Sequence, residues 1–219
     1  GNGTTFYYSS SDNTIYHNNF MNNTNQVYSS GSPNVWDNSI EGNYWDGYTG
    51  TDNNQDGIGD TPYIIDANNT DHYPLMGTFQ SLDVLGWNIS PHIFEEVDVI
   101  SNSTVYDVEL IGGSASWIDF FCHGQNGTGF CRVNVPKNIL NMSSYPIYII
   151  EGNVSSNIVQ GRIVESNSTH TTMYFTYNQT WSDYELQIFP EYPSYLILPL
   201  FFLTTLIATI LLRKRLTRS

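Results

Sequence analysis

From Glu95 onward, apolar and polar residues alternate in short runs: EVDVIS, TVYDVELI, SWIDFFC, FCRVNVP, YPIYII, NIVQGRIVES, TTMYFTY and YELQIF. A strand turns successive side chains to opposite faces, so each run can bury one face and wet the other. Gly, Asn and Ser clusters punctuate the runs at spacings of roughly 8–12 residues, which predicts an antiparallel β-sandwich of about seven or eight strands over 95–190. The expected core is Val97, Val99, Val105, Val108, Leu110, Ile118, Phe120, Val133, Val135, Ile147, Ile149, Ile163, Met173, Phe175, Leu186 and Ile188. Trp117 and Trp181 are expected in that core or on its rim.

The first thirty residues follow another pattern. They are rich in Asn and Ser, with isolated aromatic and apolar positions, as in NTIYHNNFMNNTNQVY. A conventional core needs more aliphatic mass. A coil of a right-handed parallel β-helix does not, because it buries few side chains and lines its turns with Asn and Ser. Ile15, Phe20 and Val27 are the expected inward positions. The fold class is therefore all-β: solenoid coils and cap over 1–48, a cap segment over 49–77, a linker without clear period over 78–94, then the sandwich. Tyr195–Leu212, YLILPLFFLTTLIATILL, is uncharged and long enough to cross most of a bilayer core as a transmembrane helix.

Charge gives the expected orientation. The net charge is −14. Every acidic residue lies at or before Glu191, where only Arg132, Lys137 and Arg162 are basic, while Arg213, Lys214, Arg215 and Arg218 crowd the C-terminal tail. By the positive-inside rule residues 213–219 are cytoplasmic and residues 1–194 lie outside the cell. The acidic balance excludes nucleic acid as a partner, since no basic face exists to displace counterions. The chain begins GNGTTFYY, without initiator Met or signal peptide, and reads as the C-terminal part of a longer protein. N-x-S/T acceptors at Asn2, Asn22, Asn68, Asn88, Asn102, Asn126, Asn141, Asn153, Asn167 and Asn178 suit an extracellular surface. Cys122 and Cys131 flank a Gly/Asn turn and are expected to close a hairpin disulfide.

The candidate chemistry centres on GTDNNQDGIGDTPY, residues 50–63. Asp52, Asn54 and Asp56 alternate before Gly57, the front of a calcium loop of the D-x-[DN]-x-[DN]-G type. The Ile58 carbonyl and Asp60 fall at the seventh and ninth loop positions, and hard oxygen donors suit Ca²⁺. Tyr63 occupies the twelfth position, where an EF-hand carries Glu, so a later acid is expected to complete the shell. Asp66 is the first candidate, with Asp71 and Asp46 behind it. The competing reading is a solvated Asp/Asn/Gly turn. Trp36, Tyr44, Trp45 and Tyr48 either bind a surface glycan or another cell-surface protein, or pack the solenoid end and shield its open edge. Asp12 and His17 could form an acid/base pair. No G-x-S-x-G, phosphate loop or H-E-x-x-H occurs, so no catalytic residue is assigned.

The stretch from Thr14 to Met76 resembles the end of the NosD-like β-helix repeats of archaeal surface proteins. YHNNF matches a coil element, and NVWD, GNYWDGYTGTDNNQDGIGDTPYIID and YPLM match the closing tail, although NSIEGNYWDGYTG is less Gly-rich than the family pattern. The resemblance implies a right-handed β-helix in a cell-surface setting and brings no activity with it. That family carries a copper-binding name, but His17, His72, His92, His123 and His170 and Met21, Met76, Met142 and Met173 are scattered, so copper is not expected. The loop resembles thrombospondin type 3 repeats. The sandwich, most recognisably GFCRVNVPKNIL, resembles immunoglobulin-like modules near membrane anchors. FPEYPSYLILPL resembles PEF-CTERM sorting tails, with Tyr192 where Phe is usual; the segment is either a plain membrane anchor or, as the resemblance implies, the substrate of an archaeosortase-like processing partner. The expected role is a membrane-anchored structural or adhesion protein that presents upstream β-helix repeats. The alternative is the anchor of a carbohydrate-active enzyme whose site lies in upstream coils.

Overall fold

A computed structural model describes residues 1–7, 10–30, 32–87, 95–111, 117–140, 147–151, 158–179 and 184–190. The expected membrane span, the basic tail, Trp181 and the acceptors Asn88, Asn141 and Asn153 lie outside them. Among the described residues no helix is long and apolar enough to cross a membrane.

The Asn-rich start forms parallel coils. β1 (Asn2–Phe6) lies beside β3 (Asn25–Ser29), and β2 (Asn19–Phe20) beside β4 (Tyr44–Trp45), both in parallel register. Thr14 bridges Val35 in the same sense, so three faces of one coil meet the next. Asp12, His17, Asn22 and Ser39 take positive φ between 57° and 75°. Short polar side chains reach that left-handed conformation most readily, which is one reason the coil is so rich in them. Phe20 is buried with Trp36 and Trp45, and Phe6, Ile15 and Val27 pack on them from the sides. The three expected inward positions therefore do face in.

The next segment closes the coils. β5 (Tyr63–Asp66) and β6 (Asn69–Asp71) form an antiparallel hairpin, and Leu75 bridges both Tyr44 and Ile58. The chain then enters the sandwich earlier than the alternation predicts. β7 (Thr78–Asp83) pairs along its length with β9 (Glu96–Ser101), and β8 (Leu85–Trp87) lies parallel to β10 (Thr104–Ile111). Residues 78–87, expected as linker, are thus edge strands; the weak alternation of TFQSLD hid them because only one side of an edge strand is paired.

β11 (Trp117–His123), β12 (Gly127–Pro136), β13 (Ile147–Glu151), β14 (Ile158–Ser166), β15 (His170–Gln179) and β16 (Tyr184–Pro190) complete the sheet order β7-β9-β12-β15-β14-β13-β16-β11-β10-β8. β14 pairs β13 through residues 158–161 and β15 through residues 162–166, so it turns the corner between the two layers. Val97, Val99, Val105, Val108, Leu110, Ile118, Phe120, Val133, Val135, Met173, Phe175, Leu186 and Ile188 form one buried core, with Ile163 at its margin. Alternation slips between Val105 and Val108 because β10 bulges there, with Asp107 at φ 51°. The extra residue shifts the phase and returns Val108 and Leu110 to the core.

Cys122 and Cys131 do not close a hairpin disulfide; both are buried free thiols. β11 pairs with β10 and β16, whereas β12 pairs with β9 and β15. The Gly/Asn segment between them crosses from one layer to the other. Cys131 Sγ lies 3.8 Å from Tyr177 Oη and 3.5 Å from Ser101 Oγ.

Candidate functional site at the solenoid cap

Two ladders of side-chain amides run up the coils into the cap. In the first, Asn34 Oδ1 accepts hydrogen bonds from Asn13 N at 3.0 Å and Asn13 Nδ2 at 2.8 Å. Asn69 Oδ1 forms the next rung, accepting from Asn34 N at 2.9 Å and Trp36 Nε1 at 3.0 Å. In the second, Asn43 Oδ1 accepts from Asn18 N at 3.1 Å and Asn18 Nδ2 at 3.0 Å. Its next rung is Asp71, whose Oδ2 accepts from Asn43 N at 2.8 Å and Trp45 Nε1 at 2.9 Å. An Asn rung can both accept and donate, so it propagates the ladder. Asp71 terminates it: Oδ1 accepts from Tyr73 N at 3.0 Å, and every group met by the carboxylate is a donor. Burial pushes this carboxyl above its usual range, against hydrogen bonds from Trp45, Asn43 and Tyr73 that hold it down.

The aromatic residues proposed for the solenoid end pack rather than present themselves. Phe20 stacks on Trp45 at 4.3 Å and Trp45 on Tyr63 at 4.4 Å, with Trp36 tilted against Trp45 at 5.8 Å. Tyr48 covers the edge of Tyr63 and donates its hydroxyl to the Thr61 carbonyl at 2.6 Å. Trp36 and Trp45 are 0% and 1% exposed, so neither offers a ring to a ligand.

The acidic loop folds back on itself. Asp52 accepts from Asp56 N at 2.9 Å and Gly57 N at 2.8 Å, one amide on each carboxylate oxygen. Asp56 Oδ1 accepts from Ile58 N at 2.9 Å, and Asn54 Nδ2 donates to Asp56 Oδ2 at 3.0 Å. Asp60 Oδ2 accepts from Asn53 N at 2.7 Å. Gly57 takes φ +86°, the left-handed turn its place in the motif requires. Asp52, Asn54, Asp56, Ile58 and Asp60 thus share one tight loop. Asp66 sits in the β5–β6 hairpin instead, accepting from Asn69 Nδ2 at 2.8 and 2.9 Å and from Asn68 N at 2.8 Å. Burial raises its carboxyl, yet the bonds from Asn68, Asn69 and Ser29 outweigh that and lower it. Asp46 caps Asn22 N at 2.7 Å, and Asp71 ends the ladder. Among the described residues no three His, Cys, Asp or Glu side chains converge as a metal-binding group.

What holds the loop on the sandwich is a feature the sequence reading missed. Arg132 on β12 donates from Nε to Glu41 Oε1 at 2.7 Å and from Nη1 to the Asp56 carbonyl at 3.0 Å. Arg162 on β14 donates from Nη2 to the carbonyls of Asn54, at 2.8 Å, and Gln55. Glu41 Oε2 meets His17 Nε2 at 2.8 Å, and the His17 ring stacks on Phe79 of β7 at 3.9 Å. His17 is therefore paired with Glu41, not with Asp12, and the acid/base reading has no support in the geometry. Burial pushes the Glu41 carboxyl up, but the bond from His17 and the charge and bond of Arg132 bring it below its usual range. The available signal was composition: Arg132 and Arg162 are two of only three basic residues before the tail.

The six acceptors Asn22, Asn68, Asn102, Asn126, Asn167 and Asn178 are exposed, as is Asn2. Residues 1–50 match the family described as periplasmic copper-binding protein (NosD), so the solenoid portion of the chain is similar to that family. No curated protein and no solved structure matches the chain.

Proposed function

We propose that this chain ends a β-helix and joins it rigidly to a membrane-proximal sandwich, so that the solenoid is presented outside the cell in one orientation. The observation that carries this reading is the buried Arg132. It grips the last coil through Glu41 and the cap loop through the Asp56 carbonyl while belonging to the sandwich. A flexible tether would need none of these contacts. The similarity of residues 1–50 to NosD, the acidic balance and the uncharged run before RKRLTRS support the extracellular setting. Protease treatment of intact cells tests it. A tag in the loop after Asn126 should be removed from outside while a tag after Ser219 stays protected; protection of the first tag would overturn the orientation.

Calcium belongs to the same proposal. The side chains of Asp52, Asn54, Asp56 and Asp60 with the Ile58 carbonyl would hold the ion, which would neutralise a loop that otherwise gathers three carboxylates. The donor set fits, because a carboxylate oxygen that accepts one N–H keeps a lone pair for a hard cation. Asp66 lies in the β5–β6 hairpin, Asp71 at the end of the Asn ladder and Asp46 beside Asn22, so the proposed set is drawn from the loop alone. Calorimetric titration with CaCl₂ should show one site that Asp56→Ala weakens; no heat and no thermal shift at millimolar Ca²⁺ would remove it.

A further inference from the structure

The presentation reading assigns no ligand to the solenoid. A second feature of the cap does. Where the β5–β6 hairpin lies over the second coil, Val35, Asp37, Asn68, Thr70 and His72 are among the residues that line an open cavity of about 470 Å³. Volumes of roughly 300–1,000 Å³ are those of small-molecule sites.

The chemistry of the lining is selective. No Lys or Arg takes part, so a phosphate, sulfate or carboxylate would find no counter-charge. The one carboxylate, Asp37, is 6% exposed and already engaged. Its Oδ1 accepts from Ser39 N at 2.9 Å, and its Oδ2 accepts from His72 N at 3.2 Å and meets His72 Nδ1 at 3.1 Å. A hard cation would find this single buried carboxylate and too few further oxygen donors for a coordination shell. The Asp37–His72 contact also selects a tautomer. A carboxylate can only accept, so in the neutral imidazole Nδ1 carries the proton and Nε2 presents a lone pair. The His72 side chain is 63% exposed, while the Asp37 side chain beneath it is buried. The result is an acceptor on a fixed mount, beside the Thr70 hydroxyl, the Asn68 amide and the apolar surface of half-exposed Val35.

We propose that this cavity binds a neutral, hydroxyl-rich ligand, a saccharide unit, with His72 Nε2 accepting a ligand hydroxyl and Asp37 as the positioning residue. Mixed donors and acceptors beside a small apolar surface, with the one carboxylate buried beneath His72, suit a polyol better than an anion or a hydrocarbon. The assignment deepens the presentation reading, on which it rests only for where the sugar is encountered; the cavity itself is independent of it.

Saturation-transfer NMR on the full chain, in a zwitterionic detergent free of sugar headgroups, tests the proposal. The probes are glucose, galactose, mannose, N-acetylglucosamine and their common disaccharides, with glucuronate and inorganic sulfate beside them. Transfer to at least one neutral sugar is expected. His72→Ala, at an exposed position, should weaken that sugar about tenfold, the scale of one lost hydrogen bond. Asp37→Asn should weaken it too and move the His72 ring nitrogen shifts toward the other tautomer, which loss of packing alone would not do. No transfer to any neutral sugar, preference for glucuronate or sulfate, or binding unchanged in His72→Ala would overturn the proposal. Because the assay needs no membrane orientation, its failure leaves the presentation reading standing, and failure of the protease test leaves this one standing.

Discussion

Replacing Arg132 with Met tests the joint between coil, loop and sandwich. Arg132 is 4% exposed, and the Glu41 side chain it contacts at 2.7 Å is 14% exposed. Met keeps the aliphatic stem but removes both the charge and the bond to the Asp56 carbonyl. It leaves Glu41 buried with only His17 as partner. Breaking one side of a buried pair costs about 3–5 kcal/mol, because the remaining charge has lost its compensation. Glu41 also sets the pH dependence. Its carboxyl is lowered in the folded chain, so it contributes stability above the usual carboxylate range and loses it as pH falls through the folded value. Without Arg132 that depression weakens, so the deficit of the variant should be largest at neutral pH and shrink toward pH 4. Urea melts of wild type, Arg132→Met, Glu41→Gln and the double variant measure this. The double variant should be less destabilised than the sum of the singles by about 2 kcal/mol, since the second change removes a charge the first has orphaned. A loss below 1 kcal/mol for Arg132→Met at pH 7, or strict additivity in the cycle, would refute the reasoning.

Asp119 gives an effect of opposite sign. Burial, then the charge and hydrogen bond of Glu185, push its carboxyl up to about 6, and its Oδ1 is buried with no hydrogen-bond partner. The folded chain holds this proton more tightly than the unfolded one, so the contribution is present at low pH and lost as pH rises through 6. Asp119→Asn should raise stability by about 1 kcal/mol at pH 7.5, after discounting for the half-exposed position, and flatten the gain seen between pH 7 and 5 in urea melts. The core thiols should be inert until the sandwich opens. Burial pushes Cys131 up to about 11 and, with the neighbouring Cys131, pushes Cys122 up as well, so a thiol reagent at pH 8 should label neither until urea unfolds the chain. Gly42→Ala should destabilise by about 1–3 kcal/mol in thermal melts, because a Cβ there would stand 1.9 Å from Asp71 Oδ1, which cannot retreat without breaking the ladder.

How far these features could be read from the sequence depends on whether their cause is local. The sandwich core was legible because alternation is a property of each strand alone, and Val97, Ile118, Val133, Phe175 and Ile188 face inward as the pattern requires. β7 was not, because Thr78–Asp83 becomes a strand through its pairing with β9 rather than through its own composition. The cysteine pairing failed for a related reason. CHGQNGTGFC has the chemistry of a hairpin turn, but a Gly/Asn segment can equally carry the chain between layers, and only the sheet order decides which. In the loop, Asp52, Asn54, Asp56 and Asp60 share one turn because of their spacing, without three carboxylates converging, whereas Asp66 is claimed by Asn68 and Asn69 from its own hairpin. The same logic separates Asp71 from the other acids. Composition treats it as one more carboxylate in an acidic chain, yet its place at the end of an Asn ladder makes it the residue that must accept and never donate. Asp71→Asn is nearly isosteric and would restore the residue type of the rungs below. It would still place an N–H₂ group where Tyr73 N or the Asn43 and Trp45 donors now point, and so should cost about 1–3 kcal/mol, the penalty of an unsatisfied buried donor. Hydrogen exchange at the Asn43 and Tyr73 amides reads this directly. Faster exchange at those amides, with β12 and β15 amides unchanged, is expected. Unchanged protection at Asn43 and Tyr73 would mean that the terminal rung does not require an all-acceptor side chain.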